Sequence, residues 1–306
     1  YTPFLEPLSI DEAFLDVSSC RSLFGPAEVI GRKIKNRVRE ELHLPVSVGI
    51  ASNKFLAKIA TNLGKPNGFF ILSDDKVSET LSDLSINKLW GIGEKTTQKL
   101  NRSGIFSIKQ LKQMPDVILQ GILGENGPKI KQLAQGIDHS AVCPPEKAKS
   151  IGREMTFSEN IADKNRLTKI LLDLSQYIAY IARKKGYYGK TITLKIRFHN
   201  FKTLQKSITL QQTTNLDNLI FQKSKELLHT VTIKVPGIRL LGIKLSSLQY
   251  GKQPRQLSFY QEKEWEEKWN TLIESIDRIR EKHGTYLIQR ASLLKSSQPT
   301  IHKNYK

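Results

Sequence analysis

The stretch Ser9-Ile10-Asp11-Glu12-Ala13-Phe14-Leu15-Asp16-Val17 sets two adjacent carboxylates inside an otherwise apolar, strand-like run. Charge is costly to withdraw from water unless something of opposite sign offsets the loss, so an acidic pair beside a core strand points to a bound cation. Successive side chains of a regular strand point to opposite faces. Both carboxylates can therefore serve one ion cluster only at a strand end or turn, where the pleat is broken. A hairpin corner carrying two solvated acids fits the same residues, and at this level both readings stand.

The chain has 306 residues, 39% hydrophobic and 25% charged, enough for two or three cores of ordinary globular composition. Its formal net charge of +19 is the unusual quantity and makes a polyanion, nucleic acid first, the expected partner. An anionic membrane surface is the competitor, but no apolar stretch is long enough to span a bilayer and no signal-peptide pattern is present. Cys20 and Cys143 are the only cysteines and lie far apart, which fits neither a disulfide framework nor a zinc site. A reducing, cytoplasmic setting is expected.

Downstream of the acidic run, Val29, Ile30, Ile34, Val38 and Leu42 recur at helical spacing among Arg32, Lys33, Lys35, Arg37 and Arg39, an amphipathic basic helix. Val46 to Ala51 reads as a short strand. Ser52 or Asn53 then caps a helix carrying Phe55, Leu56, Ile59, Ala60 and Leu63, which Gly64 ends. Lys65-Pro66-Asn67-Gly68 is a turn before a strand over Phe69 to Leu72. The order strand, helix, strand, helix, strand places helices on one face of a sheet. From Asp74 to Cys143 short helical segments alternate with glycine-bearing turns, and Cys143-Pro144-Pro145 opens an exposed linker.

After the linker come a strand over Ile151 to Phe157, a helix from Leu167 to Ile181 and a cleanly alternating strand from Thr191 to Phe198. That last strand turns Ile192, Leu194, Ile196 and Phe198 inward, leaving Thr191, Thr193, Lys195 and Arg197 outward. Leu204 to Leu210 is its hairpin partner. A helix over Leu216 to Leu228 and a strand over Arg239 to Leu245 complete the ferredoxin-like order. In the tail, Trp265, Trp269, Leu272, Ile273, Ile276 and Ile279 form one helical stripe, read as a packing face, and residues past Leu294 are expected to be disordered.

The string Asn53-Lys54-Phe55-Leu56-Ala57-Lys58-Ile59-Ala60-Thr61-Asn62-Leu63-Gly64-Lys65-Pro66-Asn67-Gly68, together with the upstream acidic run, resembles the palm of the Y-family, or translesion, DNA polymerases and is most similar to their bacterial DinB branch. Two long strings in the correct order are far more specific than either alone. The resemblance implies that Asp11 and Glu12 ligate catalytic divalent ions, Mg2+ with Mn2+ as a substitute, and that Lys65 reaches the triphosphate of an incoming deoxynucleotide. Such ions would assist attack of a primer 3′-hydroxyl and departure of pyrophosphate. Asp16 is read as structural.

Gly91-Ile92-Gly93, followed by Lys95, resembles the hairpin of a helix-hairpin-helix, whose exposed backbone N–H groups grip phosphate without reading sequence; a plain turn between helices is the alternative. A glutamate between the glycine and the Lys95-Thr96 pair excludes a nucleotide-binding P-loop. Lys149-Ser150-Ile151-Gly152-Arg153 resembles the entry to the family's DNA-gripping little finger. The face with Lys195 and Arg197 would then lie along primer-template DNA, with affinity falling roughly a thousandfold between low and physiological salt for a handful of phosphate contacts. A solvated sheet face is the alternative. Gln256-Leu257-Ser258-Phe259-Tyr260 resembles a sliding-clamp-binding pentapeptide in which Gln256, Leu257, Phe259 and Tyr260 dock; a loop covering the protein's own core is the alternative.

The reading is an α+β multidomain chain. Residues 1–73 form a partial, catalytic palm with a ferredoxin-like sheet and helices, 74–143 a helical thumb with the helix-hairpin-helix, and 144–149 a linker. Residues 150–248 form a ferredoxin-like, DNA-binding little finger, and 249–306 a tail with the clamp motif and one helix. The family's first strand and fingers, with a further metal-bridging aspartate, are implied to precede Tyr1. The chain is therefore expected to be an N-terminally truncated, weakly active or inactive monomer of the bacterial cytoplasm, associated with the nucleoid. A noncatalytic DNA-binding or clamp-binding fragment is the second reading. A helix-hairpin-helix glycosylase or nuclease is disfavoured, because no catalytic lysine and aspartate follow the hairpin.

Overall fold

A computed structural model describes residues 1–251, 263–284 and 287–293, without the side chains of 263–268 and 270. The chain divides into two compact units, Tyr1–Glu146 and Lys147–Lys306.

In the first unit, β1 (Leu5–Pro7) and β2 (Ala13–Leu15) form an antiparallel hairpin in which Glu6 faces Phe14 across the ladder. The acidic run is thus a strand only over Ala13–Leu15, and Asp11 and Glu12 lie in the turn that precedes it. A four-residue helix α1 (Arg21–Phe24) leads into α2 (Ala27–Leu42), which starts behind Pro26 with Glu28 in its first turn. The basic side chains of α2 are not all solvated: Lys35 Nζ donates to the carbonyls of Val46 (2.6 Å) and Asn67 (2.9 Å), tying together the two loops that flank the next strands.

These strands, β3 (Val48–Ile50) and β4 (Phe69–Ile71), pair in parallel around α3 (Lys54–Leu63). The Asn53 side chain accepts the Leu56 N–H at 2.9 Å, and α3 buries Phe55, Leu56, Ile59 and Ala60. β3 passes α3 so closely that a Cβ on Gly49 would lie 2.2 Å from the Thr61 nitrogen, hence the glycine. The expected single sheet is not formed. Among the described residues these strands make two separate two-stranded pairs, each strand three residues long and supplied with one partner.

Five short helices follow: α4 (Val77–Ser82), α5 (Glu94–Arg102), α6 (Ile108–Gln113), α7 (Asp116–Leu123) and α8 (Asn126–Ala134). Their buried residues, among them Leu81, Leu100, Ile108, Leu111 and Leu119, belong with Leu89 of the α4–α5 connection to one core with Phe55, Leu56 and Ile59 of α3, so the core has no break at 73/74.

The second unit runs β5 (Ser150–Ile161), α9 (Lys164–Lys184), β6 (Tyr187–Phe198), β7 (Thr203–Thr214), α10 (Asp217–His229), β8 (Ile238–Tyr250) and α11 (Lys263–His283). The succession is the expected one. The sheet, however, has the order β5-β8-β6-β7, antiparallel throughout, so its second and fourth strands are central and its first is an edge. A ferredoxin-like sheet keeps its first and third strands in the middle, so the likeness is one of chain order rather than sheet position. One face buries Ile151, Ile192, Leu194, Ile196, Leu241, Ile243 and Leu245 against Leu167, Leu171, Leu174 and Ile178 of α9 and Ile220 and Leu228 of α10.

On α11 the expected apolar stripe is narrower than read: Ile273 is buried, but Leu272 and Ile279 are exposed. Ionic contacts complete the docking. Arg183 of α9 grips Asp277 through two hydrogen bonds of 2.6 and 3.0 Å and also donates to the Asn215 carbonyl. The segment 256–260, the Trp265 side chain and the residues past Leu294 lie outside the described residues.

Candidate active site and nucleic-acid interface

The turn joining β1 to β2 is closed by the N–H groups of Leu8 and Ser9, which both donate to the Glu12 carbonyl, at 2.8 and 3.2 Å. The strand ladder ends at Pro7 opposite Ala13, so the pleat no longer forces Asp11 and Glu12 to opposite faces. Glu12 accepts a hydrogen bond from Lys58 of α3, and Lys65 Nζ stands 3.6 Å from the same carboxylate oxygen. Asp11 accepts the Ser9 hydroxyl at 2.5 Å. The Lys58 hydrogen bond holds the Glu12 carboxyl below the usual glutamate range, against a raising effect of partial burial and of Asp11. The Ser9 hydrogen bond does the same for Asp11, helped by the charges of Lys65 and Lys58. Both acids are therefore ionised near neutrality, and three of the residues singled out from sequence, Asp11, Glu12 and Lys65, lie together.

Asp16 accepts the Ser18 N–H at 2.9 Å and so shapes the exit from β2, a structural part. The hairpin is anchored a second time by residues that sequence reasoning missed. Lys54 donates to both oxygens of Glu6, at 2.9 and 3.1 Å, and the Cys143 N–H donates to Glu6 at 2.9 Å. Asp138 accepts the Phe55 N–H at the start of α3 (3.2 Å), while the Asn53 amide donates to the Gly136 carbonyl (2.9 Å). The i, i+4 spacing of Lys54 and Lys58 was visible in sequence, but their partners depend on the hairpin register.

Divalent cations of the hard class take ionised carboxylate oxygens, which Asp11 and Glu12 provide. Among the described residues no group of three or more acidic, histidine or cysteine side chains suited to a metal is present, so the donor set fits in chemistry and is short in number.

At the expected hairpin between helices, Gly91 has φ +92° and Gly93 precedes the first turn of α5; a Cβ at either would meet nothing within 4 Å, so the backbone lies open. Lys95 is exposed in that turn. Ile92 is different: its side chain is buried and its N–H donates to the Leu89 carbonyl at 3.1 Å. It holds the turn rather than offering a contact.

In the second unit, Lys195 and Arg197 share the outward sheet face with Thr191 and Thr193, as the alternation requires. The register adds Lys244 opposite Thr193. Lys195 donates to both oxygens of Glu154 and Arg197 to the Thr203 hydroxyl (3.1 Å). Lys149 is exposed just before β5. Arg153 is not with them: it pairs with Ile243 on the inward face and stacks over the Tyr177 ring of α9, 4.0 Å from its centroid. The parity of Ile151 and Phe157 dictates this placement.

Residues 1–62 match the impB/mucB/samB family, residues 74–105 the IMS family HHH motif, and residues 148–259 the impB/mucB/samB family C-terminal domain. The chain is 35% identical over 294 residues to DNA polymerase IV of Desulfatibacillum aliphaticivorans, covering 96% of this chain and 74% of that one. Among solved structures it is similar to a Y-family DNA polymerase chimera of Dbh and Dpo4 segments, with a TM-score of 0.69 and 27% identity over 82% of this chain and 72% of the other. An insertion ternary complex of Dbh DNA polymerase gives a TM-score of 0.53 and 27% identity, over 80% and 71%. The chain belongs to the Y-family of DNA-directed DNA polymerases. Within that family, curated relatives from Desulfatibacillum aliphaticivorans and Clostridium perfringens carry the name DNA polymerase IV. No described helix is long and apolar enough to cross a membrane.

Proposed function

We propose that the chain serves template-directed DNA synthesis across damaged template, with residues 1–73 as palm, 74–143 as thumb and 150–248 as little finger. The observation that carries this reading is the meeting of Asp11, Glu12 and Lys65 at one hairpin turn, with Glu12 and Lys65 separated by 3.6 Å. Asp11 and Glu12 would hold divalent metal, Mg2+ by preference. When bound, the ion supplies Lewis-acid activation and charge stabilisation for nucleotidyl transfer. The chain's own residues orient and balance charge. Lys58 fixes the Glu12 carboxylate, and Lys65, half exposed, is free to turn toward triphosphate oxygens.

Primer-template DNA is the macromolecular partner on this reading. The open backbone around Gly91 and Gly93, with Lys95, would contact phosphates without sequence preference, and Lys149, Lys195, Arg197 and Lys244 would line the duplex. The net charge of +19 supports it. The pentapeptide Gln256 to Tyr260 is proposed as the sliding-clamp contact.

Primer extension with the 306-residue chain tests the reading, alongside Mn2+ binding followed by electron paramagnetic resonance. With two carboxylates as its ligands the site should bind the ion weakly and extend slowly. Asp11→Asn with Glu12→Gln should abolish both Mn2+ binding, seen as the full free-ion resonance, and any extension while leaving DNA binding intact. Unchanged ion binding in that double variant overturns the assignment.

A further inference from the structure

We infer that the outward face of the second unit's sheet contains a seat for one nucleic-acid phosphate, centred on Lys195, and that the Glu154 carboxylate fills this seat until the phosphate displaces it. The inference rests on the proposed nucleic-acid role of that face.

The Lys195 ammonium lies 2.7 and 2.9 Å from the two oxygens of Glu154. A phosphodiester offers the same kind of anionic oxygen to an ammonium group, which lysine binds as a point charge. At the outward positions paired in the sheet, Glu154 is the only carboxylate among the described residues, in a field of Lys195, Arg197, Lys244 and hydroxyl groups. The pair reaches from β5 to β6 across the intervening strand at Gly242, where a Cβ would stand 2.7 Å from Glu154 Cγ. A hollow of about 440 Å³ surrounds it, with Ser150, Gly152, Thr193, Gln205 and Lys244 among the residues that line it besides the ion pair itself. The hollow has room for a phosphate group, a hydroxyl to donate to it and a second cation beside it.

Energetics favour exchange over a fixed structural link. Glu154 is 43% exposed and Lys195 25%, and surface pairs of this kind contribute little to stability. A phosphate arriving with several neighbours already engaged loses little by taking the carboxylate's place. Glu154 thereby competes with the phosphate for Lys195 and moderates the grip of the face.

The test is a double-mutant cycle on the full chain, with E154Q, K195Q and the pair, read by fluorescence anisotropy of a labelled primer-template across a salt series and checked by thermal melting. Expected are about two- to fivefold tighter binding for E154Q, the factor a surface ion pair can withhold, weaker binding for K195Q, and a double variant that behaves as K195Q does. The gain in E154Q should come with a steeper salt dependence. An equal gain from E154Q in the K195Q background would mean general loss of negative charge and overturn the phosphate seat, as would weaker binding by E154Q. In both cases the DNA-binding role of the face survives. If K195Q changes nothing in either background, the nucleic-acid role of Lys195 itself fails.

Discussion

Glu12 in the β1–β2 turn and Lys58 on α3 are hydrogen-bonded partners, one helical turn along from the Glu6–Lys54 pair that anchors the opposite strand of the same hairpin. Two carboxylates of the hairpin are thus matched to two lysines at i, i+4. The turn carrying Asp11 is held to the helix whose end leads to Lys65. The ion pairs position the acidic turn; packing alone contributes little there, since Phe14 is the one buried side chain of β2.

Replacing Lys58 by methionine keeps the aliphatic stem and removes the partner of Glu12. The cost should be about 1 kcal/mol near neutrality, since Glu12 is partly exposed and screened. The folded protein lowers the Glu12 pKa, so this contribution is fully present above the ordinary glutamate range and is lost as pH falls through the lowered value. Melting temperatures of the unaltered and Lys58→Met chains should therefore differ near pH 7 and converge in acid. A difference that grows on acidification would contradict the pairing.

Glu6 offers a separate test, because it also receives the Cys143 N–H. Its carboxyl is held low by that backbone hydrogen bond first and by Lys54 second. Glu6→Gln should speed hydrogen exchange at the Cys143 amide by about fivefold or more, the factor for roughly 1 kcal/mol of local stability. Exchange in β6 should be unaffected. Uniform acceleration through both units would mean that Glu6 does no local anchoring.

Gly49→Ala should be far more damaging than its size suggests. The added methyl would meet the Thr61 nitrogen at 2.2 Å and the Ala57 carbonyl at 2.4 Å, both backbone atoms of α3 that cannot rotate away. A loss of about 3 kcal/mol or more is expected. In calorimetry the transition of the first unit should move down while that of the second stays. A variant with two unshifted transitions would show that β3 and α3 are not so closely apposed.

Much of this architecture was legible in sequence wherever a pattern ran long enough to have a period. The α3 register follows from Asn53, Phe55, Leu56, Ile59 and Gly64, and the order of elements in the second unit follows from the alternation at 191–198. β1 was not legible: three residues, one of them Pro7 and one Glu6, carry no period. The turn at Asp11 was foreseen only as the condition under which two neighbouring acids could act together. Glu6, Asp138 and Glu154 matter through partners tens of residues away, which no local pattern encodes. Ile92 and Arg153 were misplaced for another reason. Motif likeness assigned them contacts, although the Ile92 N–H is taken by the Leu89 carbonyl and the parity of Arg153 with Ile151 and Phe157 turns its side chain inward.

That inward placement separates Arg153 from the cations it accompanied in the sequence reading. Arg153 stacks on Tyr177 and lies beside Asp173, whose carboxyl is pushed up by burial and drawn back down by Arg153 and Arg280. Arg153→Ala removes the ring stacking and one of the charges facing Asp173. It should lower the stability of the second unit by about 1–3 kcal/mol and leave the salt dependence of DNA binding unchanged, provided binding is measured well below the melting temperature. Arg197→Ala and Lys244→Ala, on the outward face, should do the reverse: little change in melting, and a salt-dependence slope reduced by about one for each phosphate that is no longer neutralised. Anisotropy titrations at several salt concentrations on all three variants distinguish the two faces. A reduced slope for Arg153→Ala with unchanged stability would place Arg153 on the DNA and overturn the assignment of faces.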